Sequence, residues 1–411
     1  MDEEGSQIVT SKCREQYPEA ATLNTFLKLV VKQEASDLFI TPGMPPTLKI
    51  DGVIRPIFDK ALSNKQVESL VYGIMTPNQL KEFEIELEAN FAINEPSVGR
   101  FRVNVFQQQN EVGMVIRRIK MDIPTFEELR LPSQFKELSM GKRGMVIVVG
   151  ATSSGKSTTL ASMVGYRNRN SYGHIVTVED PVEYVHRHEG CIVTQREVGI
   201  DTHSFDNALK NTLRQAPDVI MIGEIRTRET MEHAIAFAET GHLVVTTLHA
   251  TNANQALDRI INFFPEDRRG QLLMDLSLNL KAIVAQRLIP HVSGVGRRVA
   301  AEILLNTPLV SDLILRGEIH LLRDAMKKSQ QGMCDFDHAL FLLYQAGEIS
   351  KEETILHADS PNDVRLMIKL GKGVTPTDLA SAMDGVTLAG SEDTESGSVF
   401  PLRDKKVSPF G

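Results

Sequence analysis

At 411 residues the chain is longer than one ordinary hydrophobic core, so two domains and a tail are the expectation. Its 42% hydrophobic and 24% charged residues are the balance of a soluble globular protein, and no apolar run approaches the length of a membrane span. A formal net charge of −8 argues against an overall electrostatic hold on nucleic acid. The N-terminus, Met1-Asp2-Glu3-Glu4, is acidic and reads as neither a signal nor a transit peptide. Cys13, Cys191 and Cys334 are odd in number and far apart, which suits reduced thiols in a cytosolic protein better than a disulfide framework or a zinc site.

Residues 1–20 are polar and read as poorly ordered. A helix is expected from near Ala20, because Leu23, Phe26, Leu27, Val30 and Val31 recur at helical spacing. A strand follows at Leu38–Ile40, and Asp51-Gly52 between Leu48–Ile50 and Val53–Ile57 is a strong hairpin signal. A helical stretch over Lys65–Glu88 and two strands, Phe101–Phe106 and Val112–Ile119, complete a compact α+β domain over 21–120. Residues 121–144, with Pro124 and Pro132, read as a linker containing one short helix. From Met145 the pattern becomes strands alternating with helices, the grammar of an α/β fold with a mostly parallel sheet. The strands are Met145–Val149, His174–Val178, Val219–Ile222 and Leu243–Leu248; the helices are Ser157–Asn168, Ser204–Gln215, Thr230–Glu239 and Ala253–Phe263. We assign this core to 145–290. We read 291–370 as the end of the core and a C-terminal helical region, with helical periodicity at Leu309–Leu315, Leu321–Ser329 and Phe336–Gln345. Residues 371–411 are too rich in Gly, Ser, Thr and Asp to bury much surface and read as disordered.

The segment Gly150-Ala151-Thr152-Ser153-Ser154-Gly155-Lys156-Ser157 matches G-x-x-x-x-G-K-[ST] at every fixed position, with an apolar strand leading in and a helix leading out. Such a loop curls so that successive N–H groups face the phosphates of ATP at the positive end of the following helix, and the cradle runs on to Thr158. Lys156 then neutralises β/γ-phosphate charge and the Ser157 hydroxyl ligates Mg²⁺. Such a site also needs a carboxylate at the end of a neighbouring strand. Val219–Ile222 ends in Gly223-Glu224, which makes Glu224 the candidate catalytic base, with Mg²⁺ held directly or through water. Glu179-Asp180 terminates the strand before Pro181. Because parallel strands bring their C-terminal ends to one edge, Lys156, Glu179, Asp180 and Glu224 are expected at one site, with Glu179 a second candidate for catalysis and for Mg²⁺. His242 and His249 flank Leu243–Leu248; a histidine there is placed to sense the γ-phosphate or to bridge to a neighbouring subunit. His186, His188 and Glu189 share a loop without a fourth metal ligand and read as solvated.

Taken together, these blocks resemble the secretion and pilus motor ATPases with a RecA-like core. The order is the same: the phosphate loop, an acidic box (Thr177–Glu183), Asp218–Glu224 with Arg226 behind it, and a histidine box running from Thr240 to His249. The resemblance implies a PAS-like N-terminal domain followed by a RecA-like P-loop core with C-terminal helices. It also implies that Arg102 and Arg117, in Gly99-Arg-Phe-Arg102 and after it, reach the γ-phosphate when the domains close. A long N-terminal extension and a four-cysteine zinc site, usual in assembly motors, are missing. The chain is therefore similar to the PilT/PilU retraction branch. Val310–Glu318 lacks the first arginine of the PilT block, and Phe39 stands where PilT-like chains tend to have histidine, which moves the resemblance toward PilU. The resemblance implies a Mg²⁺-dependent ATPase, a homohexamer, for type IV pilus retraction and twitching motility. Its partners would be a PilT-type ATPase and an inner-membrane pilus platform protein. It would lie in the cytoplasm at the pilus base, with neither nucleic acid nor direct membrane insertion. A pilus-extension or type II secretion motor, or a nucleotide-binding regulator of a motor ring that does not hydrolyse, are the alternatives.

Overall fold

The computed structural model describes residues 23–50, 52–96, 98–119, 122–328 and 332–371. Cys13 and the expectations of disorder over 1–20 and past Gly371 lie outside them. The N-terminal part is an α+β unit. Helix α1 (Leu23–Lys32) buries Leu23, Phe26, Leu27 and Val30, and is followed by β1 (Asp37–Ile40), β2 (Thr47–Ile50) and β3 (Val53–Pro56). The expected helix over Lys65–Glu88 is two, α2 (Asn64–Tyr72) and α3 (Pro77–Glu86). Gly73 caps the first; Thr76 and Gln79 form a capping box on the second, with Pro77 at its first turn, where proline cannot continue a preceding helix. After them come β4 (Glu88–Glu95), β5 (Gly99–Gln108) and β6 (Glu111–Arg118), and the six strands form one antiparallel sheet in the order β3-β2-β1-β6-β5-β4. Phe26, Leu38, Leu48, Phe101, Val103 and Met114 close its core.

The segment expected to hold one short helix holds two, α4 (Phe126–Leu129) and α5 (Gln134–Ser139). Both pack on the second unit: Phe126 and Phe135 join Val146, Val148 and Leu160 in one apolar cluster. Arg130, just past α4, pairs with Glu348, which also takes Arg298 at 2.5 Å and His291 at 3.2 Å.

The second unit contains β7 (Gly144–Val149), α6 (Lys156–Asn170), β8 (Gly173–Glu179), β9 (Cys191–Glu197), α7 (Phe205–Thr212), β10 (Val219–Ile222), α8 (Arg228–Glu239), β11 (Leu243–Leu248), α9 (Ala253–Asn262), α10 (Glu266–Asn279), β12 (Leu280–Pro290) and β13 (Arg297–Leu305). Its sheet runs β13-β12-β7-β11-β10-β8-β9, parallel throughout except for the β12–β13 pair. Both faces are covered. Met145, Ile147 and Val149 of β7 belong to one apolar cluster, while Val146 and Val148 belong to another across the sheet. That is why these strands read as unbroken apolar runs. The sheet continues past Pro290 to Leu305, within the stretch read as the end of the core and the C-terminal helical region. Helices α11 (Pro308–Leu315), α12 (Leu322–Lys328), α13 (Phe336–Gln345), α14 (Lys351–Leu356) and α15 (Pro361–Leu370) follow it.

Candidate active site

The C-terminal ends of β7, β8, β10 and β11 open on a cleft of ≈ 310 Å³. Thr152, Ser153, Lys156 and Ser157 of the glycine-rich loop line it, together with Glu179, Asp180, Glu224 and His249. The common edge arises because each strand enters the sheet in the same direction and delivers its following residue to the same rim.

The loop fits a polyphosphate. Gly155 sits at φ +90°, in the left-handed region open to glycine, and immediately precedes the first turn of α6. The Lys156 ammonium donates to the carbonyls of Gly150 (3.0 Å) and Ala151 (2.9 Å), drawing the two arms of the loop together. Burial pushes its pKa down, with Glu224 and Glu183 acting the other way. The hydroxyl of Ser157 and the carboxylates of Asp180 and Glu224 at the cleft are hard oxygen donors. They suit Mg²⁺, an ion that keeps water and takes substrate phosphates beside one or two carboxylates.

Glu224 stands one residue beyond the glycine that ends β10. His249 Nε2 lies 3.1 Å from its Oε1, and Arg226 donates to Oε2 from Nε at 2.9 Å. A second Arg226 nitrogen is 3.7 Å from Asp180. Burial and then the Lys156 charge push the His249 pKa below its ordinary value, against the pull of Glu224, so the neutral ring is favoured. Glu179 is only 7% exposed. Burial pushes its pKa up to about 7, although Thr177 Oγ1 (2.7 Å) and Gln195 Nε2 (3.1 Å) both donate to its Oε1. At neutral pH this carboxyl is therefore partly protonated, unlike a solvated glutamate.

Two expectations meet this geometry differently: His242 falls elsewhere, while Arg102 and Arg117 are expected at the nucleotide only on domain closure. His242 precedes β11, at the opposite edge of the sheet from His249, and its Nδ1 lies 3.0 Å from Thr240 Oγ1 and 3.2 Å from the carbonyl of Phe237. A six-residue strand spans roughly 20 Å, so the two histidines flanking it cannot meet one nucleotide in the same subunit. Arg102 and Arg117 are cross-strand partners on β5 and β6 and line no part of the cleft. Arg117 donates to Asp37 at 2.8 Å. The charges of Arg102 and Arg100 are close enough to Glu197, at the end of β9, to oppose the burial that raises its pKa. His186 corrects a third reading. It is 7% exposed and lines the cleft, and burial pushes its pKa down to about 4, so it is a buried neutral ring and not a solvated one.

Several contributors carried no sequence motif. Tyr184 lines the cleft, with its hydroxyl 2.9 Å from Thr158 Oγ1. Gln195 accepts from the His186 N–H at 2.7 Å while donating to the carbonyl of Tyr184 at 2.9 Å, so one amide ties the acidic-box loop to β9. Alternation in Cys191–Glu197 was the available signal for that strand; it is weak because Thr194, Gln195 and Arg196 follow one another without an apolar residue.

A family model described as Type II/IV secretion system protein matches residues 13–332. The chain is 59% identical to the type IV pilus ATPase PilU of Pseudomonas aeruginosa, over 91% of this chain and 98% of that one. It is 42% identical to the type IV pilus retraction ATPase PilT of the same organism, over 83% of this chain and 99% of the other. A crystal structure of the pilus retraction motor PilT with bound ADP superposes with a TM-score of 0.79 at 37% identity, covering 84% of this chain and all of that one.

Proposed function

The chain belongs to the type II/IV secretion system protein family and within it to the PilT/PilU pilus ATPases, and from this premise we propose that it is a Mg²⁺-dependent motor that retracts type IV pili for twitching motility, working beside a PilT-type ATPase. The observation that carries the reading is the meeting of Lys156, Ser157 and Glu224, held by Arg226 and beside His249, in one cleft at the C-terminal edge of a parallel sheet. Identity is greater to PilU than to PilT, and this supports the retraction branch and its PilU side.

In this proposal the N–H groups of residues 150–158 bind the phosphates, and Lys156 turns from the loop carbonyls to the β/γ-phosphates. Ser157, with Glu224 and Glu179 directly or through water, holds Mg²⁺, which when bound neutralises phosphate charge. Glu224 orients the attacking water and His249 keeps its carboxylate turned toward the cleft. Asp180 and Arg226 balance charge at the rim. The neutral His186 ring and Tyr184 wall the site off from water. Arg102 and Arg117 act on the transferring phosphoryl group when the N-terminal unit, 21–120, closes on the core, 145–290. Movement between these units carries the stroke. Because α4 and α5 pack on the core, we place the pivot ahead of Phe126 within the 121–144 linker. The remaining parts of the proposal are a homohexameric ring, an inner-membrane platform protein as partner, a place in the cytoplasm at the pilus base, and no nucleic-acid substrate.

Purified chain, alone and mixed with a PilT-type ATPase, is the test. Lys156→Ala is expected to remove nucleotide hydrolysis and, in cells, to give reduced surface movement with normal or excess pili. Full hydrolysis by Lys156→Ala sinks the site assignment; bald cells on gene deletion sink retraction in favour of extension.

A further inference from the structure

β12 runs parallel beside β7 with Ala285 opposite Val149, which puts the next residue, Gln286, beside the first glycine of the phosphate loop. Gln286 is 1% exposed. Its Nε2 donates to the carbonyl of Ser154 at 2.7 Å. A Cβ built on Gly150 would stand 2.8 Å from the Gln286 carbonyl oxygen, and one built on Gly155 would stand 3.1 Å from Nε2. One residue of β12 therefore abuts both glycines of the motif and the peptide before the second.

That peptide matters for phosphate binding. The carbonyl of Ser154 and the N–H of Gly155 belong to one planar trans unit and point in opposite directions. Holding the oxygen down on β12 turns the Gly155 N–H away from β12, toward the side where Thr152, Ser153, Lys156 and Ser157 line the cleft. A loop that binds anions through backbone N–H groups depends on such orientation, because a flipped peptide would present a carbonyl oxygen to the phosphate. The Gln286 Oε1 is itself buried without a protein partner, so an apolar side chain of the same shape would remove that unpaired acceptor but leave the Ser154 carbonyl without its donor.

The following residue holds the strand from its other side. Arg287 lies 4.0 Å above the Phe336 ring, donates to the carbonyl of His357 at 2.8 Å and pairs with Asp359 at 2.8 Å. Successive residues of a strand face opposite ways, so β12 grips the C-terminal helices with one side chain and the phosphate loop with the next.

We infer that Gln286 is a positioning residue of the nucleotide site, fixing the Ser154–Gly155 peptide so that its N–H is presented to the polyphosphate of a bound nucleotide. The inference rests on the phosphate-loop reading above and deepens it. The experiment titrates a fluorescent ADP analogue without Mg²⁺ into wild-type chain, Gln286→Met, Gln286→Asn and Lys156→Ala, and adds steady-state hydrolysis and thermal melting. Gln286→Met keeps the shape and removes the donor; Gln286→Asn keeps the amide and withdraws it by one methylene. Both are expected to bind ADP about tenfold more weakly and to raise KM by a similar factor, with kcat at saturation little changed. The methionine variant leaves the Ser154 carbonyl without its donor, so its melting temperature is expected to fall by no more than a few degrees. Wild-type affinity in either folded variant overturns the inference, as does failure of both to fold, which makes the residue structural. If the wild-type chain does not bind the analogue, it is the phosphate-loop reading itself that fails.

Discussion

Glu224 accepts a hydrogen bond from Arg226 at Oε2, and the His249 Nε2 lies 3.1 Å from Oε1. An orienting base needs its acceptor fixed in direction, and the Arg226 hydrogen bond supplies that. Glu224→Gln keeps the shape and loses the basicity. Hydrolysis is expected to drop by ~10²–10⁴-fold while ADP affinity stays within a few-fold of wild type. Turnover and equilibrium binding measured on the same preparation check this, and a variant retaining most of its turnover removes Glu224 from the role. The residue was legible because a glycine and an acid ending an apolar strand is a local pattern. Its contact with His249 was not, since that histidine follows another strand and only the sheet order places it alongside.

Among elements, β13 and α9 share the best-defined buried acid away from the cleft. Glu302 is 3% exposed, and its Oε1 accepts from the N–H of Ala253, the first residue of α9, at 2.7 Å. Burial pushes its pKa up to about 7 despite that hydrogen bond. The folded chain therefore prefers the protonated carboxyl, whereas the unfolded chain ionises near 4.5. Stability from this group is complete below about pH 4.5 and is lost as pH rises through 7. Glu302→Gln imitates the protonated form and keeps the acceptor. It should match wild type at pH 4.5 and exceed it by about 3 kcal/mol at pH 8. Denaturant unfolding at the two pH values gives the comparison, and equal stability at pH 8 contradicts it. At this scale the strands buried on both faces were readable: β10 and β11 span the same residues in sequence and structure. Strands β4, β9, β12 and β13 were not. The first two are edge strands in which polar residues interrupt or follow the apolar ones, and β12 follows α10 with no intervening turn, so no punctuation separates helix from strand.

Across the whole molecule, the N-terminal sheet presents a charged row over β1, β6 and β5, with Asp37 opposite Arg117 and Arg117 opposite Arg102. Asp37 offsets the repulsion between neighbouring arginines, as unlike charges across a ladder do. Arg102 is the free end of that row and lies within electrostatic reach of Glu197 in the core. If domain closure brings it to the γ-phosphate, Arg102→Ala should lower kcat by ~10³-fold or more, with ADP binding unaffected. Rapid quenching of a single turnover separates this from slowed product release. A loss confined to KM would assign Arg102 to binding alone.

The sequence by itself determined the phosphate loop, the acids at strand ends, the parallel character of the core and the two-unit plan. Each of these depends on residues close together in the chain: a motif with fixed glycines, an apolar run ending in an acid, a change in periodicity. Tertiary structure decided what depends on packing and on strand order. It placed His249 at the cleft and His242 at the far edge, buried His186, tied Arg117 to Asp37, and set Gln286 beneath the loop. A histidine's charge and an amide's partner follow from what surrounds them, and those surroundings are assembled from strands distant in sequence.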